Sequence, residues 1–151
     1  MIKKSIAASL LASTLVFAGC ASIPNNQQQQ KNLALLQSQM WVMTHIGAVE
    51  YKTDVTAHNV PSLQFSDTEM RVSGADGCNR LMGSYAIKGH KITLAQLAST
   101  QMMCMNTMEL ANKYNQALNQ VAGYQVYNQT LKLLDQHGNV VLQFKGATQT
   151  H

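Results

Sequence analysis

Beyond residue 39 the apolar positions mostly recur with a period of two, the signature of strands with one buried face. Trp41, Met43 and, less cleanly, His45 share one face of residues 39–46, which predicts a first strand. Residues 47–60 are mixed and polar, and Pro61 ends them. Leu63 and Phe65 alternate with polar neighbours, and Met70 and Val72 repeat the pattern. Ser66, Asp67 and Thr68 between them predict a hairpin loop. Residues 74–83 are rich in glycine and small polar side chains and predict an irregular loop or bulged turn. Tyr85 and Ile87, then Ile92 and Leu94, flank Lys88 and Gly89 as a second hairpin, with Gly89 able to take positive φ. Residues 97–105 carry no clear period.

One segment departs from the period of two. Leu110, Tyr114, Ala117, Leu118 and Val121 recur at helical spacing. Asn106 is placed to cap that helix, Glu109 follows in a capping-box arrangement, and Gly123 is placed to stop it in a left-handed cap. Three strands follow, at 124–127, 131–134 and 140–144, with turns at 128–129 and 135–139. Strands, one main helix, then strands, all on short connections, predict an α+β domain: a compact antiparallel sheet or incomplete β-barrel with the helix packed against it.

The N-terminus changes the picture. Lys3 and Lys4 precede a mostly apolar run at 6–17, and Ala18 and Gly19 lead into Cys20. That order is a secretory leader, too short to span a bilayer stably. Residues 17–20, Phe-Ala-Gly-Cys, resemble the lipobox of bacterial lipoproteins. The resemblance implies cleavage before Cys20, which would carry a thioether-linked diacylglycerol and an N-acyl chain such as palmitate. Each buried methylene contributes about 0.8 kcal/mol, so several long chains anchor far better than one. Ala21 is not the aspartate of an inner-membrane retention signal. The expectation is therefore an outer-membrane lipoprotein facing the periplasm.

The chain then divides into a leader at 1–19, a lipidated cysteine with a glutamine- and asparagine-rich tether at 20–39, one domain at 40–146 and a disordered tail at 147–151. The tether has little apolar surface to bury. Leu33, Leu35 and Leu36 either start a short helix or lead into the domain.

The formal charge of +4 falls to near +2 once Lys3 and Lys4 leave with the leader. The basic residues are scattered, so no nucleic-acid stripe is present. With Cys20 assigned to lipid, two of the three cysteines remain, an even pair in an oxidising compartment. A Cys78–Cys104 bridge would close a loop of about 26 residues and stabilise the fold by about 3 kcal/mol; two buried free thiols are the alternative.

The segment at 73–85, Ser-Gly-Ala-Asp-Gly-Cys-Asn-Arg-Leu-Met-Gly-Ser-Tyr, resembles the Gly-Cys-Asn-Arg core of the META domain of HslJ-like heat-shock lipoproteins. Residues 100–104, Thr-Gln-Met-Met-Cys, are similar to that family's Thr-x-Met-x-Cys block, with Gln101 where an arginine is common. Trp41, Glu109 and the tail through Asp135, Gly138 and Phe144 match in order and spacing. The resemblance covers about 41–144 and implies a compact antiparallel sheet or barrel with one helix. It further implies a role in envelope stress, antibiotic (novobiocin) tolerance or, in some members, secretion, without a known reaction.

The motif is mostly conformational. Gly77 and Gly83 permit backbone geometry closed to other residues, and Asn79 suits a turn. Arg80 either pairs with Asp76 or Glu109, or grips an anionic ligand. Met102, Met103, Met105 and Met108 read as packing first, then as an apolar-ligand or peptide surface with Arg80, then as a soft-metal site. A catalytic role for Cys78 lacks a recognisable base, and the five histidines are isolated, so neither catalysis, cofactor nor metal is expected. The reading is a non-enzymatic, membrane-anchored protein that binds an apolar ligand, a peptide or an envelope partner. A secretion assembly factor and, further off, an envelope hydrolase or thiol enzyme are the alternatives.

Overall fold

The computed structural model describes residues 26–52 and 58–147. The leader, Cys20 and residues 148–151 lie outside the described residues; Ala147, expected to open the tail, is the last residue of a strand. Among the described residues nine strands form one antiparallel sheet: β1 (Met40–Ile46), β2 (Val49–Glu50), β3 (Ser62–Phe65), β4 (Arg71–Ala75), β5 (Arg80–Lys88), β6 (Lys91–Ser99), β7 (Gly123–Tyr127), β8 (Thr130–Leu134) and β9 (Val140–Ala147). All but β2 join into a ring, because β1 pairs with both β3 and β9. The ring is weakest between β6 and β7, where Lys91 and Gly123 are the one registered pair. Two helices among the described residues pack with it, α1 (Asn26–Gln37) and α2 (Met108–Leu118). The α+β architecture read from the sequence is the architecture observed.

Period-two alternation fills the ring. Trp41, Met43, Leu63, Phe65, Val72, Leu131, Leu133, Leu142 and Phe144 all point inward and are buried. Burying a side chain of this size is worth roughly 1.5–3 kcal/mol against leaving it in water. A helix closes each mouth. α2 lies against β1 and β9 and sends Tyr114 into the core, edge-on to Phe144 at 6.3 Å, with its hydroxyl donating to the Ser62 carbonyl at 3.1 Å. α1 bridges β3 and β7, which stand opposite each other in the ring. Its last turn is pinned by two bonds: the Trp41 indole donates to the Leu36 carbonyl at 2.8 Å, and the Gln37 amide donates to the Tyr85 hydroxyl at 2.7 Å.

Four local expectations change. The span expected to be a polar tether contains α1, and Leu36 belongs to the core; three leucines on one turn supply enough apolar surface to dock a glutamine-rich helix. The cap of α2 is Thr107, not Asn106, and its side chain makes no capping bond. Residues 105–107 are instead the turn that leads off the bridged Cys104. Gly123 does not stop α2. The helix ends at Asn119 in right-handed geometry, and Gly123 opens β7, where a side chain would meet the His90 carbonyl. The expected loop at 74–83 is only four residues long, 76–79, since β4 runs to Ala75 and β5 starts at Arg80.

Candidate functional site

The loop at 76–79 is a knot of hydrogen bonds. Asp76 is fully buried. Its Oδ1 accepts the backbone N–H of Cys78 at 2.9 Å and of Asn79 at 2.6 Å, and its Oδ2 accepts the Asn115 amide of α2 at 2.8 Å and, more distantly, the Asn79 amide at 3.4 Å. Asn79 Oδ1 in turn accepts the Met102 N–H at 2.7 Å and the Thr100 hydroxyl at 3.4 Å. Thr100 Oγ1 also accepts the Arg80 N–H at 3.1 Å. Asn59 donates to the Cys78 carbonyl from the other side. Gly77 sits at φ 101°, where any side chain is strained, and its N–H reaches the Asn59 carbonyl at 2.8 Å. Cys78 and Cys104 form a disulfide with their Cα atoms 5.8 Å apart. One loop therefore ties together β4, β5, the 100–104 segment and α2.

The candidate residues divide sharply. Trp41, Gly77, Cys78, Asn79, Thr100 and Cys104 hold the fold. Gly83 lies within β5, where a Cβ would press on the Ala95 carbonyl and the Leu97 side chain. Glu109 is exposed and pairs with Lys113 at 2.7 Å, which lowers its pKa and raises that of Lys113. Arg80 makes neither expected pair, because Asp76 is turned inward and Glu109 is held by Lys113. The methionines do not pack. Met103 and Met105 are each 98% exposed, and Met102 and Met108 are about half so, because the bridged Cys104 holds their segment outside the ring.

Beside the knot, the outer face of β1, β3, β4 and β5 forms a trough. The register sets Val42, Ser62, Ala75 and Arg80 side by side across the four strands. The next outward row runs Gln64, Ser73, Met82, with Met40 beyond Gln64. Small residues form the floor, and Met40, Val42 and Met82 form the walls of a cavity of about 680 Å³. Its lining is mostly apolar and, among the described residues, contains no acidic side chain.

Bridged cysteines offer no thiolate, so nucleophilic chemistry at Cys78 has no reactive group. Among the described residues no three histidine, cysteine or acidic side chains converge as metal ligands, and no helix is long and apolar enough to cross a membrane.

The sequence pattern of the META domain matches residues 32–148. The chain belongs to the META domain family. An NMR structure of a protein from Burkholderia xenovorans shares 26% identity with this META protein. That match covers 98% of this chain and all of the other, with a TM-score of 0.60. A second NMR structure is also 26% identical, over 76% of this chain and 94% of its own, with a TM-score of 0.58. A crystal structure of a DUF4847 family protein from Bacteroides vulgatus matches 77% of this chain and 97% of its own at 17% identity and a TM-score of 0.55, a likeness of fold. No curated protein matches the chain. The family match begins at residue 32, inside α1, so the second half of that helix, with Leu36 of the core, falls within the META domain.

Three features of this META domain escaped the sequence reading. Asp76 acts as the centre of the knot, and its position two residues before a motif cysteine was the available signal for an Asx turn. Asn115 had no signal, since a helical asparagine reads as solvated. The trough depends on register between four strands and could not be seen in any one of them.

Proposed function

We propose that this META domain is a non-enzymatic, lipid-anchored envelope protein that supports envelope integrity and novobiocin-like tolerance by binding an apolar partner. One observation carries the reading. The groups that could do chemistry in the motif, Asp76, Cys78, Asn79 and Thr100, are bonded inside the fold, while the adjoining outer face is open and apolar. A rigid loop beside an open apolar trough suits recognition more than turnover. Arg80, the cation of the motif, lines the trough and has no ion-pair partner among the described residues. Cys20 and the preceding leader support export and acylation.

The test joins the anchor to the phenotype. Cells labelled with an alkyne analogue of palmitate should tag the wild-type chain and not Cys20→Ala. A deletion strain complemented with Cys20→Ala should lose novobiocin tolerance that the wild-type chain restores. Equal labelling of both chains, or full tolerance with the unanchored chain, would sink the reading.

A further inference from the structure

We propose that the trough across β1, β3, β4 and β5 is a site for a single-chain aliphatic carboxylate, a free fatty acid of the envelope. The proposal rests on the binding role above and names its ligand class. Shape, size and charge define the occupant. The floor is made of small residues, Ser62 and Ala75, in a row that Val42 begins, and Met82 stands beside it, so the surface offered is mostly apolar. Four strands at ~4.8 Å spacing make the row about 14 Å long, which suits one extended chain better than a ring system. The volume of about 680 Å³ falls within the range of small-molecule sites.

The third of these is electrostatic. Arg80 closes the end of the Val42 row. Among the described residues it makes no ion pair, and none of those that line the trough carries a carboxylate to neutralise it. A planar guanidinium offers paired donors that match a carboxylate. The Asn59 amide at the same end is already engaged with the Cys78 carbonyl, so the anion has one strong partner. That favours a monoanionic head over a phosphate dianion, which calls for several donors. The methionine walls are unbranched and polarizable and can settle around a flexible chain.

Methionine methyl NMR on the full-length protein reads this directly. Met40 and Met82 line the trough, whereas Met43 points into the core from the same strand as Met40 and serves as the control. Titration with dodecanoate, below its micelle-forming concentration, should shift the Met40 and Met82 methyls saturably and leave Met43 in place. Dodecanol should bind about tenfold more weakly, and Arg80→Gln should bring dodecanoate down to the level of dodecanol. Met82→Asp should weaken both by tenfold or more.

No saturable shift with dodecanoate overturns the proposal. So does equal binding of dodecanol, tighter binding of dodecyl phosphate, or shifts that depend on protein concentration alone, which would make a second copy the occupant. If dodecanoate fails to bind while Met82→Asp still abolishes drug tolerance in cells, the ligand assignment falls and the binding role stands.

Discussion

Replacing Asp76 with alanine should unfold the motif from its centre. Four donors lose their acceptor: the backbone N–H groups of Cys78 and Asn79, and the side-chain amides of Asn79 and Asn115. Cys78 and Asn79 are both buried, so water cannot freely replace the lost partner. A buried donor left unsatisfied costs roughly 1–3 kcal/mol, and the 3.4 Å contact counts for little, so the expected loss is about 4 kcal/mol. That is a large part of the 5–15 kcal/mol that typically holds a small domain. Asn115→Ala removes one bond and should cost about 1–2 kcal/mol. Arg80→Ala, at the start of β5 beside the loop and joined to the knot through its backbone N–H alone, should stay within about 0.5 kcal/mol of wild type. Urea unfolding of the oxidised protein, followed by Trp41 fluorescence, measures all three, because Trp41 is fully buried and bonded to Leu36. Asp76→Ala within about 1 kcal/mol of wild type, or Arg80→Ala costing as much as Asp76→Ala, would refute a structural motif.

Burial drives the Tyr114 pKa well above its ordinary 10.0, and burial also raises Tyr85 and Tyr124. The unfolded chain therefore loses these protons first, so the stabilisation is complete below pH ~10 and fades as pH rises toward the folded values. Tyr114→Phe should flatten that alkaline limb in melting curves and cost about 1 kcal/mol at neutral pH through the lost bond to Ser62; an unchanged limb contradicts it. The double substitution Cys78→Ala and Cys104→Ala should lower unfolding free energy by about 3 kcal/mol, and a loss under 1 kcal/mol would show that the bridge constrains little. Gly77→Ala places a side chain at φ 101°, and roughly 1–3 kcal/mol of strain should appear as a lower melting temperature.

The strands were readable because each buries one face: the alternation at Trp41 and Met43, Leu63 and Phe65, and Leu131 and Leu133 survives intact in the ring. The limits of α2 were misread because local capping signals at Asn106 and Gly123 gave way to tertiary constraints. The Cys104 bridge delays the helix start, and the pairing of Gly123 with Lys91 and Leu134 fixes that glycine in a strand. The Met102 to Met108 cluster reads in sequence as packing first and as a surface second, yet it stands exposed, and the apolar trough belongs to Met40, Val42 and Met82. Those three looked like ordinary strand residues, and only cross-strand register brings them to one face.

The proposed binding role makes the motif loop scaffold and the neighbouring trough the working surface of this META protein. Met82→Asp tests it most directly. Met82 is 58% exposed on the trough wall, so the purified variant should keep its melting temperature. In a deletion strain challenged with novobiocin, the account predicts that this stable variant, made at wild-type level, fails to restore survival. Full restoration by Met82→Asp would contradict it.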